Sequence, residues 1–390
     1  MAAERRERAA FDHAAGERKS LVILGAGRLG RMIRKGLHGT DLAPVAFADN
    51  NPALWNQTLD GLPVLSPEAA ATRHATAVFV IAVWHPSNQP LLAQLLAQLR
   101  QLNCRAVPFA VLFWRFPERF LSYFFWDLPS RLLRQRHDIA AAFRLLGDEP
   151  SRQAFVEQIR LRLHADVESL CAPEPAQYFP GLFSLSADEC FVDCGAYTGD
   201  TIRAFTSHTG GLFRRLIAFE ADSAVLHDLE QTLSETGSHA SLHRAAVGSQ
   251  NGVIQFAGDG MGSGKVATAG GTPVPCVRLD DALARERVTF IKMDIEGAEL
   301  QALEGAHRTI WRDRPVLAVC GYHTPDHLWR VGVALKTLAP DSLLFLRSHC
   351  ADGLDTVWYA VPPERRAQAL TVMPIKLSLP VRPRTQGSPA

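Results

Sequence analysis

Cys190-Phe191-Val192-Asp193-Cys194-Gly195-Ala196-Tyr197-Thr198-Gly199-Asp200-Thr201 is the stretch on which the fold turns. An apolar run meets an acid, then two glycines, then residues suited to a helix start, which is how a parallel α/β sheet opens its first unit. The spacing D-x-G-x-x-x-G differs from phosphate-cradling loops, which use G-x-G-x-x-G or end in G-K-[ST]. It suits a zwitterionic ligand with a ribose and no phosphate. Gly195 and Gly199 permit close backbone approach, and Asp193 offers a carboxylate to an ammonium group.

One βα unit downstream, Arg215-Leu216-Ile217-Ala218-Phe219 ends in Glu220. An acid at a strand terminus can accept from both ribose hydroxyls, about 1.5–3 kcal/mol for each charged hydrogen bond. Strand candidates recur at Cys190, Leu216, Leu242, Phe290, Val316, Leu343 and Val357, with a short connection before the last. Ligands in such sheets bind beyond the carboxyl ends of the strands, so Asp193, Glu220 and Asp294 are expected in one crevice.

Upstream lies a second start, Leu21-Val22-Ile23-Leu24 followed by Gly25-Ala26-Gly27-Arg28-Leu29-Gly30, with a further strand, Pro44 to Ala48, ending at Asp49. Gly25 suits a tight turn, Gly27 backbone approach and Gly30 helix packing, so Gly25, Gly27, Gly30 and Asp49 form a candidate nucleotide site. Asp49-Asn50-Asn51-Pro52, Gly61-Leu62-Pro63-Val64-Leu65 and Ser66-Pro67-Glu68 follow. This pattern resembles the N-terminal nucleotide-sugar-binding domain of bacterial sugar acyltransferases over residues 20–110. The plainer alternative is that the loop only turns the chain. Between the two starts, aromatic residues crowd 113–126, and Ser130–Leu146 and Ser151–Leu163 have helical spacing. Burial as interdomain core is the expected role of the aromatics, ahead of a stacking surface. If exposed, they would offer a contact face for a homo-oligomer.

Composition narrows the class. The chain has 390 residues, more than one domain usually holds. Lys and Arg total 41 against 40 Asp and Glu, a net charge of +1, which argues against nucleic acid as partner. The longest apolar run, Ala77 to Trp84, is far short of the roughly 20 residues of a membrane span. The charged N-terminus lacks an apolar signal region, and the seven cysteines form no C-x-x-C pair, so a reducing cytoplasm is expected.

The second half resembles the FkbM family of S-adenosylmethionine-dependent methyltransferases over roughly 185–362. The matching segments are Phe191 to Thr201, Ala218-Phe219-Glu220-Ala221-Asp222, Ala245-Ala246-Val247-Gly248, Val277-Arg278-Leu279-Asp280-Asp281, and Phe290-Ile291-Lys292-Met293-Asp294-Ile295-Glu296-Gly297-Ala298-Glu299 with Leu303-Glu304-Gly305-Ala306. Tyr322 to Trp329 and His349 to Ala360 are similar to the family's terminal region. Ala221 stands where the family usually has proline. The resemblance implies a class I methyltransferase seven-stranded sheet, preceded here by an N-terminal Rossmann-like parallel sheet. It implies cofactor contacts at Asp193, Cys194, Gly195, Ala196, Tyr197, Gly199, Thr201, Glu220, Ala221, Ala246, Val247 and Asp294.

The expected organisation is a flexible segment at 1–19, a Rossmann-like domain at 20–125, a helical connector at 126–180, the methyltransferase domain at 181–365 and an extension at 366–390. The expected activity is O-methylation of a hydroxyl on a sugar, glycan precursor or natural product. Methyl transfer needs alignment and a place for the acceptor's proton. Asp294 is the first candidate to touch the acceptor, as base or orienting group, and His323 the second, as a neutral base, ahead of His349. Glu296 is expected to cap the following helix, and Lys292 to pair with an acid. Asp294, Glu296, His323 and His349 show no compact ligand motif, so no metal is expected. The glycines of 258–264 read as a surface turn or a lid. Two rivals remain: a nicotinamide-dependent oxidoreductase using Gly25–Gly30 and Asp49, and a non-catalytic nucleotide-sugar-binding module.

Overall fold

Short runs rich in Val, Ile, Leu and Phe, buried along most of their length, build the first sheet, as expected where helices cover both faces. Its strands are β1 (Ser20–Leu24), β2 (Ala43–Ala48), β3 (Thr58–Leu59), β4 (Leu62–Leu65), β5 (Val78–Ile81) and β6 (Arg105–Pro108). They lie in the order β3-β4-β2-β1-β5-β6, parallel except for the β3–β4 hairpin. The computed structural model describes residues 2–16, 20–87, 89–237, 239–258, 260, 264–266 and 270–367.

The second half holds β7 (Cys190–Cys194), β8 (Arg215–Phe219), β9 (Ala240–His243), β10 (Ala246–Val247), β11 (Gly252–Ala257), β12 (Lys265–Val266), β13 (Thr272–Val277), β14 (Phe290–Met293), β15 (Val316–Cys320), β16 (Leu343–Ser348) and β17 (Thr356–Val361). Seven form one sheet in the order β16-β17-β15-β14-β7-β8-β9. β17 alone runs antiparallel to its neighbours, as its short connection from β16 requires. β10 to β13 make a small separate sheet. The expected two-domain α/β architecture is therefore the observed one, and the reversal of strand order between β7 and β14 opens the crevice that holds the site.

Most aromatics of 113–126 are core: Trp126 is fully buried and Phe125 nearly so, Phe113 stacks on Phe120 with ring centres 4.6 Å apart, and Phe116, Tyr123 and Phe124 are half-buried. Trp84 joins this block and donates from Nε1 to the Asp352 carbonyl at 3.1 Å, tying the first domain to the second. The connector is helical at Pro129–Arg134, Arg136–Arg144 and Glu149–His164. The last of these packs on β16, and its N-cap Asp148 forms a buried pair with Arg347 at 2.6 Å.

The N-terminal stretch expected to be flexible is instead helical over Ala2–Ala15. Phe11 is fully buried, and Glu7 accepts from the N–H and hydroxyl of Ser130 at 2.7 and 2.8 Å. Alanine-rich helix propensity and one apolar anchor outweigh the charged composition there. Beyond Ala367 the expected C-terminal extension lies outside the described residues. Among those described, no helix is long and apolar enough to cross a membrane.

Candidate active site

β14, β7 and β8 are adjacent, and their carboxyl ends bring Asp294, the glycine loop and Glu220 together. The loop fits tightly. Gly195 has φ +80°, and a Cβ built on it would stand 1.9 Å from the Asp294 carbonyl oxygen, so only glycine can pass there. The N–H groups of Gly195 and Ala196 donate to the Phe219 carbonyl at 3.0 and 3.2 Å. Cys194 is fully buried, leaving only its backbone near the crevice, and Thr201 is buried in the first turn of helix Asp200–His208. Ala246 and Val247 form β10, just past the end of β9.

Asp193 corrects the sequence reading. It is 0% exposed and sits 2.9 Å from the Lys292 ammonium, so its carboxylate cannot meet a ligand's ammonium group. Burial pushes its pKa up to about 6, with Lys292 pulling the other way. Burial likewise works against the Lys292 charge, but Asp193 and Asp294 outweigh it and hold the ammonium protonated. Lys292 then donates to the Gly195 carbonyl at 2.6 Å. The pair shapes the glycine loop from beneath, and the expected pairing of Lys292 with an acid is present.

Glu220 is placed as expected, facing the loop. One oxygen accepts from the Tyr197 N–H at 2.8 Å, the other from those of Ala221 and Asp222 at 2.7 Å each. A carboxylate offers about four acceptor positions, so capacity for one further donor remains. Asp222, beyond the missing proline, accepts from the N–H groups of Ala224 and Gly260 at 3.0 Å each. It thereby fastens Gly260 of the glycine-rich segment to the end of β8.

Asp294 is held from three sides: by the Tyr178 hydroxyl at 2.8 Å, the Tyr322 hydroxyl at 3.3 Å, and His323 Nε2 at 3.2 Å. Burial favours its neutral form, but His323, Lys292 and Tyr178 outweigh that and keep the carboxyl well below the usual range. So weak a base is better suited to orienting a donor than to taking its proton.

His323 also departs from expectation. Its side chain is 1% exposed, with Glu299 2.7 Å from Nδ1 and Glu296 3.5 Å from Nε2. Burial disfavours the imidazolium, yet Glu299 and the two neighbouring acids prevail and raise its pKa well above 6.5. It is no free neutral base. Glu296 does not cap helix Glu299–Gly305. Glu299 braces that turn instead, accepting from the Ile295 N–H at 3.1 Å.

His349 is remote from the crevice in function. Its Nδ1 faces the Glu174 carbonyl at 2.7 Å and must donate, so Nε2 accepts from the Tyr359 hydroxyl at 2.8 Å. That hydroxyl accepts the Tyr178 N–H at 3.0 Å. Tyr178 itself was not singled out by sequence reasoning: it follows a proline-rich stretch and carries no motif. Asp355, beside Tyr322, lies within the His349–Ala360 segment but was not singled out in it; burial, with Asp294 nearby, pushes its carboxyl up to about 7.

In the first domain, Gly30 would place a Cβ 1.9 Å from the Gly25 carbonyl oxygen, while Gly27 faces open space. Asp49 accepts from the Ala26 and Asn51 N–H groups, both at 2.8 Å, and so braces the glycine loop.

A seven-stranded sheet of this order, with β17 antiparallel to its neighbours, is a methyltransferase-like α/β fold. Residues 193–349 match the family model of the methyltransferase FkbM domain. The crystal structure of methyltransferase FkbM from Methylobacillus flagellatus KT is similar throughout, at 25% identity and TM-score 0.73, covering 92% of this chain and 93% of that one. Aeropyrum pernix fibrillarin with bound S-adenosyl-L-methionine is 15% identical at TM-score 0.31, covering 48% of this chain and 73% of its own. UDP-D-quinovosamine 4-dehydrogenase from Vibrio fischeri is 23% identical at TM-score 0.21, covering 23% and 77%. Scores that low say nothing of function. No curated protein matches the chain.

Proposed function

We propose that this methyltransferase uses S-adenosylmethionine to methylate a hydroxyl of a sugar, glycan precursor or natural product. The observation that carries the reading is the meeting of the Gly195 loop, the Glu220 carboxylate and Asp294 at the carboxyl ends of β7, β8 and β14. The residues fit the cofactor. Gly195 lets the loop pack directly on the Asp294 carbonyl at the end of β14, Glu220 keeps acceptor capacity for a ribose hydroxyl, and the local excess of acid favours a cation.

When bound, S-adenosylmethionine supplies an electrophilic methyl group. Gly195, Ala196 and Tyr197 hold the loop conformation through their backbone bonds to Phe219 and Glu220. Asp294 accepts the hydrogen bond of the incoming hydroxyl, and Tyr178 and Tyr322 fix its orientation. His323 is a positioning residue, anchoring Asp294 from behind.

Isothermal calorimetry of the full chain with S-adenosylmethionine tests the reading. Binding with about one site per chain, weakened at least tenfold by Glu220→Ala in line with one lost charged hydrogen bond, is expected. Absence of binding, or NAD(H) bound in its place, would return the chain to the oxidoreductase reading of the first domain.

A further inference from the structure

Three side chains of the crevice present an unresolved contact. His323 Nε2 lies 3.2 Å from Asp294 Oδ1 and 3.5 Å from Glu296 Oε1, is buried, and has no hydrogen-bond partner. Its other nitrogen is committed to Glu299 Oε1 at 2.7 Å. Glu299 is fully buried, and its second oxygen lies 3.1 Å from His327 Nδ1. A carboxylate accepts only, so Nδ1 carries the proton facing Glu299. Nε2 faces two carboxylate oxygens, whose negative charge is offset there either by a second proton on the ring or by a cation in the gap.

The spacing suits an ion. Donors bound to one metal at about 2.0–2.2 Å stand about 3.0–3.5 Å apart in octahedral or tetrahedral geometry, which is the distance from His323 Nε2 to each of the two carboxylate oxygens. Histidine ligands characteristically give their other N–H to a carboxylate, which is the Glu299 contact, and ligand carboxylates are themselves hydrogen-bonded, as Asp294 Oδ2 is by Tyr178. Glu299 offers an oxygen within 4.8 Å of Asp294 and His323 too, but both its oxygens face histidine nitrogens at the back of the cluster. Glu296 holds a left-handed backbone, φ +54°, an uncommon conformation for a non-glycine residue and typical of constrained sites. The side chains of Asp294 and Glu296 are 24% and 19% exposed against 1% for His323, so the open coordination positions face the crevice.

We infer that Asp294 Oδ1, Glu296 Oε1 and His323 Nε2 bind a divalent first-row metal ion, with Glu299 orienting the histidine. One imidazole nitrogen and two carboxylate oxygens suit Mn²⁺, Fe²⁺, Co²⁺ or Zn²⁺. The site stands on its own geometry and does not depend on the nature of the methyl acceptor. The competing occupant of the gap is a proton on Nε2.

The test uses the full chain, stripped with EDTA, desalted and titrated with Mn²⁺ under electron paramagnetic resonance, without S-adenosylmethionine. About one Mn²⁺ per chain should bind and be displaced by Zn²⁺. His323→Ala and Glu296→Gln should abolish binding, and Glu299→Gln should weaken it about 10–100-fold. Circular dichroism reports whether each variant folds, and Glu296→Gln, at a partly exposed side chain, decides the matter if His323→Ala does not. No bound Mn²⁺ or Zn²⁺ at millimolar concentration, or undiminished binding in folded Glu296→Gln, would overturn the site. Cofactor affinity is read separately by calorimetry, so failure of the metal site and failure of the methyltransferase reading are distinguishable.

Discussion

Asp193 and Lys292 matter more to the fold than to any ligand. Both are buried, and each is the other's nearest counter-charge. Removing one partner leaves a charge stranded, which costs about 3–5 kcal/mol, whereas replacing both with apolar groups of similar volume is often neutral. Asp193→Ala should therefore lower stability to urea by about that amount, and Asp193→Leu with Lys292→Met should recover most of it. An unchanged midpoint in Asp193→Ala would contradict this account. The residue was legible as an acid at a strand end, but its depth was not. In a parallel sheet covered on both faces, alternation tells which face a side chain takes, not whether that face meets a ligand. Glu220 and Asp294, one step beyond their strands, escape that ambiguity.

Elements were more legible than their ends. All seven strand candidates of the second domain are strands of one sheet, because their apolar runs are bounded by turns and helices. The connector pattern at Ser130–Leu146 gave one helix where there are two, meeting at Gln135, since periodicity does not register a break that keeps the apolar face in line. What periodicity cannot reveal at all is the cross-element path from His349 through Tyr359 to Tyr178. Burial lowers the His349 pKa from 6.5 to about 4, with the Glu174 carbonyl pulling the other way. The sign follows: the unfolded chain takes up this proton first, so the contribution is full above pH 6.5 and is lost as pH falls toward 4. It amounts to about 3 kcal/mol. Urea unfolding of wild type should weaken over that window by more than that of His349→Gln, which lacks the titrating group. Parallel pH profiles for the two would remove the path from the account.

At the scale of the whole molecule, length and composition indicated two domains and the glycines located them, but neither indicated how firmly they join. The aromatic block is shared, with Phe125 beneath Arg162 of the connector, at 4.2 Å from its ring centre, and Trp84 bonded to Asp352. Trp126→Ala removes a fully buried side chain from that junction and should cost about 3–5 kcal/mol. Followed by far-ultraviolet circular dichroism in urea, the variant should unfold in one transition at lower denaturant. Two transitions, of which only one moves, would show the domains to be independent. The junction also bears on inheritance. Tyr178, which aims Asp294, lies outside the 193–349 span of the methyltransferase domain and reaches the crevice from the connector. Under the proposed function, one residue that aims Asp294 at the acceptor, Tyr178, is thus carried on a separate stretch of chain from the residues that would grip the methyl donor. Exchange of that stretch between relatives is a route by which substrate choice can diversify while the donor machinery is handed on unchanged.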